Sequence, residues 1–104
     1  MLCLEIDLSS DSPGLGNWRV LDRGVNRQPF LWENVSQGMF VMIDIFNPDM
    51  EKRCYSVLVF YGDPSVAASR KKVLGIACAD EGEGGWIQVY ERAKNIAEQF
   101  MSKN

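Results

Sequence analysis

Asp44 is the residue of this chain best suited to acid–base chemistry, because it is a carboxylate inside an apolar run, Met39 to Phe46. A carboxylate buried among apolar neighbours must pair with a cation or keep its proton. In that setting Asp44 would act as a general acid or base, or would orient a ligand, with Ser56 as its hydrogen-bonding neighbour. The alternative is an Asp44 at the edge of its strand, satisfied by water or by an arginine such as Arg19 or Arg27.

Other catalytic and metal-binding arrangements find little support. The chain has no histidine, which removes Ser–His and Cys–His nucleophile pairs and histidine-based zinc sites. The Gly14-Leu15-Gly16 fragment of a phosphate-binding pattern is typical of a turn, and the acidic run 80–85 lacks the ligand spacing of a calcium loop. We therefore predict no metal and no cofactor, and the sequence favours a protein that is not an enzyme, with Asp44 leaving that question open.

Composition and the cysteines bear on location and partners. The net charge of −3 argues against a dedicated nucleic-acid binder. Cys3, Cys54 and Cys78 are odd in number, widely spaced and set among apolar residues, which is typical of buried, reduced cysteines. The N-terminal ten residues lack the pattern of a signal peptide, and no run is long enough to span a membrane. These observations predict a cytoplasmic protein with no membrane partner.

Strands must position Asp44. Alternation of apolar and polar residues predicts a strand at Leu2–Leu8, and runs rich in Val, Ile, Phe, Tyr and Trp predict others. The further predicted strands are Trp18–Asp22, Phe30–Val35, Met39–Phe46, Cys54–Tyr61 and Val73–Ala79. Gly24–Pro29 is predicted to be a turn. Residues 64–72 are ambiguous, since an Asp63-Pro64 start would also suit two helical turns over Val66–Lys72.

The chain from residue 86 to about residue 102 is predicted to be one amphipathic helix, whose apolar stripe is about 140° wide. The stripe consists of Trp86, Val89, Tyr90, Ala93, Ile96, Ala97, Phe100 and Met101. We therefore predict a single α+β domain over residues 1–104: an antiparallel sheet of four to six strands with this helix packed on one face.

The central hairpin, 39–46 and 54–61, separates two apolar faces. If Phe46 lies opposite Cys54, one face is mainly aliphatic and includes Val41 and Val57, and it is the face that we expect the helix to cover. The opposite face is predicted to hold the candidate ligand-binding or interface residues Phe40, Met42, Asp44, Ser56, Leu58 and Phe60.

An uncovered apolar face suggests three functions. The first is a protein-interaction or assembly module that forms a homodimer through this face, because soluble monomers rarely leave a large apolar patch bare. The second is a small-molecule-binding domain, with an apolar cavity near Asp44 that takes a small hydrophobic ligand. The third, which the acidic charge disfavours, is a sheet that stacks single-stranded nucleic acid on aromatic rings such as Phe40 and Phe60.

Overall fold

Five antiparallel strands and one C-terminal helix make up the fold of this computed structural model, which describes residues 16–46, 53–66, 68–79 and 85–104. The predicted strand Leu2–Leu8 lies outside the described residues. The strands are β1 Trp18–Arg23, β2 Pro29–Asn34, β3 Met39–Ile45, β4 Arg53–Phe60 and β5 Lys71–Ala79, and the helix, α1, is Trp86–Lys103. Neighbours in the sheet are neighbours in sequence, in the order β1-β2-β3-β4-β5. The predicted α+β arrangement is confirmed.

The central hairpin has the predicted register. Phe40 pairs with Phe60, Val41 with Val59, and Asp44 with Ser56. Side chains of directly opposed residues point to the same face of a sheet. The mainly aliphatic residues of this hairpin and its candidate site residues therefore lie on opposite faces.

Helix α1 covers the aliphatic face, as expected. Its buried residues, Val89, Tyr90, Ala93, Ala97 and Met101, form one core with Val41, Ile43, Val57 and Val59. The helix packs tightly on β5 at Gly75, where an added Cβ would lie 3.1 Å from Cδ1 of Ile96, closer than ordinary van der Waals contact. We refer to the opposite side of the sheet as the helix-free face.

Residues 64–72 contain no helix in the part that the structure describes, so the helical alternative for this segment is wrong. The Asp63 carboxylate accepts hydrogen bonds from the backbone N–H and the hydroxyl of Ser65, at 2.9 and 2.7 Å. Such a local bond holds the backbone in a turn rather than in a helix. Strand β5 begins at Lys71, two residues before the predicted start. A bulge where Val57 pairs with Gly75 but Leu58 pairs with Val73 breaks the alternation on which strand prediction depends.

The expectation of reduced cysteines is wrong for two of the three. Cys54 and Cys78 lie directly opposite each other on β4 and β5 and form a disulfide. The third, Cys3, lies outside the described residues. The pairing depends on the register of β5 beyond its bulge, which the spacing of the cysteines in the sequence does not reveal.

Candidate binding cleft

The predicted site residues share one face of the sheet, as the register of the hairpin requires. Phe60 is buried, with 8% of its surface exposed, while Phe40, Met42, Ser56 and Leu58 are half-buried. These five residues belong to the helix-free face, where they form a continuous strip across β3 and β4.

Asp44 is exposed on this strip, so it lacks the apolar enclosure that would make it a buried acid or base. Its carboxylate accepts a hydrogen bond from the backbone N–H of Ile45 at 3.0 Å. Arg19, one of the two cations considered for it, instead pairs with Glu33 at 2.8 Å. Asp44 is therefore a solvent-exposed carboxylate, and it also lines a cavity beside α1.

A shallow depression on the helix-free face brings together only two of the predicted residues, Phe40 and Met42. Its wall includes the Arg19–Glu33 ion pair and the turn at Asp63. Ser56, Leu58 and Phe60 do not line it, so the predicted residues do not form one pocket.

A better-formed cavity lies on the other side of the sheet, beside the start of α1. It has a volume of about 520 Å³, and we call it the binding cleft. Its lining residues are Gly24, Asn26, Gln28, Phe30, Ile43, Asp44, Ile45, Tyr55, Trp86, Ile87, Tyr90 and Glu91. They come from the β1–β2 turn, from β2, β3 and β4, and from the first two turns of α1.

The β1–β2 turn is held in shape by its backbone. The N–H of Gly24 donates to the carbonyl of Gln28 at 2.9 Å. Asn26 and Arg27 have φ angles of 58° and 60°, a left-handed conformation that asparagine tolerates better than most residues. Because this loop is closed on itself, it forms a defined wall of the binding cleft.

The opposite wall is set by α1. The N–H of Gly85 donates to Oε1 of Gln88 at 2.8 Å, which caps the start of the helix. Tyr90, 7% exposed, donates its hydroxyl hydrogen bond to the carbonyl oxygen of Pro29 at the start of β2. That bond ties the helix to the strand across the base of the cleft.

Aromatic rings dominate the interior of the cleft. The ring of Tyr55 meets that of Trp86 at 5.2 Å with an interplanar angle of 69°. It meets the ring of Tyr90 at 6.1 Å and 81°. These edge-to-face contacts fix three rings in near-perpendicular orientations, and Phe30 adds a fourth ring to the lining.

The two tyrosines of the cleft stay neutral near pH 7. Burial raises the pKa of the Tyr55 phenol. Burial, together with the negative charges of Glu91 and Glu98, raises the pKa of Tyr90 well above its usual range. Neither phenol is therefore primed as a base or a nucleophile, and the described residues hold no group of three or more potential metal ligands.

Of the site residues predicted from the sequence, Asp44 lines the binding cleft, whereas the aromatic residues at the start of the helix were expected to be core. Trp86 and Tyr90 are one helical turn apart at the start of the apolar stripe, and the sequence analysis assigned both to packing. Yet 38% of the surface of Trp86 is exposed. The width of the apolar stripe is the sequence signal that could have revealed the cleft. The first turn of the helix carries more apolar surface than the sheet can bury.

Comparison with protein-family models, with curated proteins and with solved structures finds no match to this chain. Within the described residues, no helix is long and apolar enough to cross a membrane.

Proposed function

We propose that this chain binds a small, largely apolar ligand in the binding cleft. The observation that carries the proposal is a cavity of about 520 Å³ into which four aromatic side chains converge. Ligand sites typically measure about 300–1,000 Å³ and are lined by apolar and aromatic side chains with a few polar groups. Gln28 and Asn26 supply such polar groups at the turn.

Exposed apolar residues at the rim support the same proposal. Ile45 and Ile87 are 59% and 68% exposed, and Trp86 is 38% exposed. All three line the cleft. A ligand that bridges them would remove this apolar surface from water, which contributes roughly 25 cal/mol per Å².

The proposal is tested by titrating the ¹⁵N-labelled protein with p-cresol and indole, two small aromatic probes. We expect the amide shifts to cluster at residues 24–30, 55 and 86–91. Trp86→Ala, which removes the exposed ring, should weaken binding at least about tenfold. Phe40→Ala, on the helix-free face, is the matched control and should leave the affinity unchanged. Shifts that cluster around Phe40, or no binding of either probe, would refute the proposal.

A second candidate function, self-association through the helix-free face, is favoured by a separate observation. Phe46, Ile76 and Val73 on this face are 40%, 47% and 53% exposed. They flank the half-buried strip that contains Met42 and Leu58. Together these side chains make an apolar surface of the kind that dimers cover.

Strand edges are less suited to self-association. The outer strand β5 begins with two lysines and contains a bulge. The Arg92 guanidinium also donates a hydrogen bond to the carbonyl oxygen of Cys78, at 3.0 Å. Charges and bulges of this kind oppose edge-to-edge pairing. These features oppose a dimer that forms through the β5 edge of the sheet.

Light scattering coupled to size-exclusion chromatography tests this second candidate. A dimer that Ile76→Glu converts to a monomer would support it. Ile87→Glu introduces the same charge on the cleft side and should not affect the oligomer. A wild-type protein that is monomeric at high micromolar concentration would contradict it.

The cytoplasmic location expected from the sequence stays a prediction. The disulfide between Cys54 and Cys78 argues against it, because cytosolic thiols are normally kept reduced.

A further inference from the structure

We propose that the binding cleft is selective for a small organic cation that carries a methylated ammonium group. The inference rests on the proposed function, since it names the chemical class of ligand for the same cleft. Two properties of the lining carry it: the sign of its charge and the arrangement of its aromatic rings.

The charged residues of the lining are all acidic. Asp44 and Glu91 line the cleft, and among the residues that the structure describes its lining contains no lysine or arginine. Glu91 lies one residue after the buried Tyr90, on the flank of α1 that borders the cavity. A carboxylate at the mouth of an apolar cavity favours a ligand of opposite charge, since both attract each other more strongly where water is partly excluded.

The cleft lining includes three aromatic rings in near-perpendicular contact, of which Trp86, 38% exposed, offers the most open ring surface to a ligand. Tyr55 stands at 69° to Trp86 and at 81° to Tyr90, so the three rings form two corners that are close to right angles. Aromatic cages recognise quaternary ammonium groups through the negative potential of ring faces, and tryptophan is the strongest contributor. Methyl groups on the nitrogen also match the apolar walls, which a bare ammonium ion would not.

Positive potential at the start of α1 and on Arg23 opposes this selectivity. The start of α1 carries the positive end of the helix dipole, yet the N–H of Gly85 is already bonded to Gln88. Arg23 also influences Tyr90, but its effect on the pKa of Tyr90 is smaller than those of Glu91 and Glu98. One of its guanidinium nitrogens donates to the carbonyl of Arg27. Among the charges that act on the pKa of the Tyr90 phenol, the two carboxylates therefore have the larger effects.

Three probes of nearly equal shape and different charge test the inference. Choline is the cation, 3,3-dimethylbutan-1-ol is its neutral carbon isostere, and 3,3-dimethylbutanoate is an anion of similar size. Each is titrated into the full chain and followed by amide shifts at the cleft. We expect choline to bind at least about tenfold more tightly than the alcohol, and the carboxylate to bind most weakly.

Two variants separate the charge from the rings. Glu91→Gln should weaken choline binding about tenfold and leave the affinity for the alcohol unchanged. Glu33→Gln makes the same change of net charge on the helix-free face, outside the lining, and should have a much smaller effect. Trp86→Leu keeps an apolar wall but removes the ring, so it should reduce the preference for choline over the alcohol. A thermal melt of each variant verifies that it remains folded.

The outcomes distinguish this inference from the proposed function. Equal affinity for choline and the alcohol would overturn the selectivity and leave apolar binding in place. Tightest binding of the carboxylate would also overturn the selectivity. It would show that the positive end of the α1 dipole determines which charge the cleft prefers. Failure of all three probes, together with failure of p-cresol and indole, would overturn both.

Discussion

Asn34 shows how a single polar residue can organise this fold. It has no exposed surface, and its side-chain oxygen accepts hydrogen bonds from the Ser36 hydroxyl at 2.9 Å and from the Gln37 N–H at 3.2 Å. Its side-chain nitrogen also lies 3.5 Å from the carbonyl oxygen of Asn104. One side chain thus connects the β2–β3 turn with the end of α1.

Replacing this side chain should be costly. Asn34→Ala leaves buried polar groups without partners, so we expect the free energy of unfolding to fall by about 1–3 kcal/mol. Urea denaturation monitored by circular dichroism measures the change. Ser36→Ala removes one of the same hydrogen bonds from an exposed position and should cost less than about 1 kcal/mol. Equal losses for the two variants would show that the buried position of Asn34 is unimportant.

Residue type alone pointed to one residue of the cleft lining, Asp44, and not to its aromatic residues. Asp44 stood out in the sequence as a carboxylate in an apolar strand, but the structure leaves it exposed beside the N–H of Ile45. Tyr55 and Trp86 did not stand out, although they line the binding cleft. Whether an aromatic residue lies in the core or lines a cleft depends on which other elements pack against it. A local sequence pattern contains no information about those contacts.

At the scale of elements, the disulfide joins the two strands β4 and β5 at the end near Ala79. Cys54 and Cys78 are separated by 24 residues along the chain. Closing a loop of this length reduces the entropy of the unfolded chain, which stabilises the fold by about 3–4 kcal/mol in the chain-entropy account. The bond therefore contributes to the stability of the sheet beneath the helix.

Chemical reduction should reveal this contribution. Without reductant, the unfolded chain should show one free thiol, that of Cys3, and with reductant three. Reduction should lower the melting temperature of the wild-type protein. It should not change that of the Cys54→Ala/Cys78→Ala double variant, which serves as the control. Three free thiols before reduction would contradict the pairing.

Strands and helix were predictable where side chains follow one period. Strand β3 begins at the predicted Met39 and ends one residue early, β4 differs from its prediction by one residue at each end, and α1 begins at the predicted Trp86. Prediction failed at 64–72, where Asp63 imposes a turn through its own side chain and a bulge displaces the start of β5. Neither a hydrogen bond between a side chain and the nearby backbone nor the extra residue of a bulge produces a periodic pattern of apolar residues in the sequence.

At the scale of the whole molecule, the cleft follows from a mismatch of widths. Five strands about 4.8 Å apart span about 19 Å, whereas a helix with its side chains is about 10 Å wide. Near its end α1 reaches β1, through the contact of Phe100 with Trp18 at 6.3 Å between ring centres. Near its start it meets β4 through Trp86 and β2 through Tyr90. The corner between these contacts is the binding cleft.

The same buried tyrosine predicts how the molecule responds to high pH. Burial raises the pKa of Tyr90 above that of an unfolded tyrosine, which is about 10. Its contribution to stability is therefore complete below about pH 10 and is lost as the pH rises toward the folded-state pKa, because the unfolded chain then releases the proton first. We expect the melting temperature to fall above pH 10, with separation of α1 from β2.

Two tyrosine variants measure how much Tyr90 contributes to the decrease in melting temperature above pH 10. Tyr90→Phe loses the bond to Pro29, so at pH 7 its unfolding free energy should be about 1 kcal/mol lower. Above pH 10 its melting temperature should decline less steeply than that of the wild type, because no buried phenol remains to ionise at this position. Tyr61→Phe, at a residue that is 45% exposed, should follow the wild-type curve. If Tyr90→Phe declines as steeply as the wild type, then alkaline unfolding starts elsewhere and the bond to Pro29 does not hold the cleft wall in place.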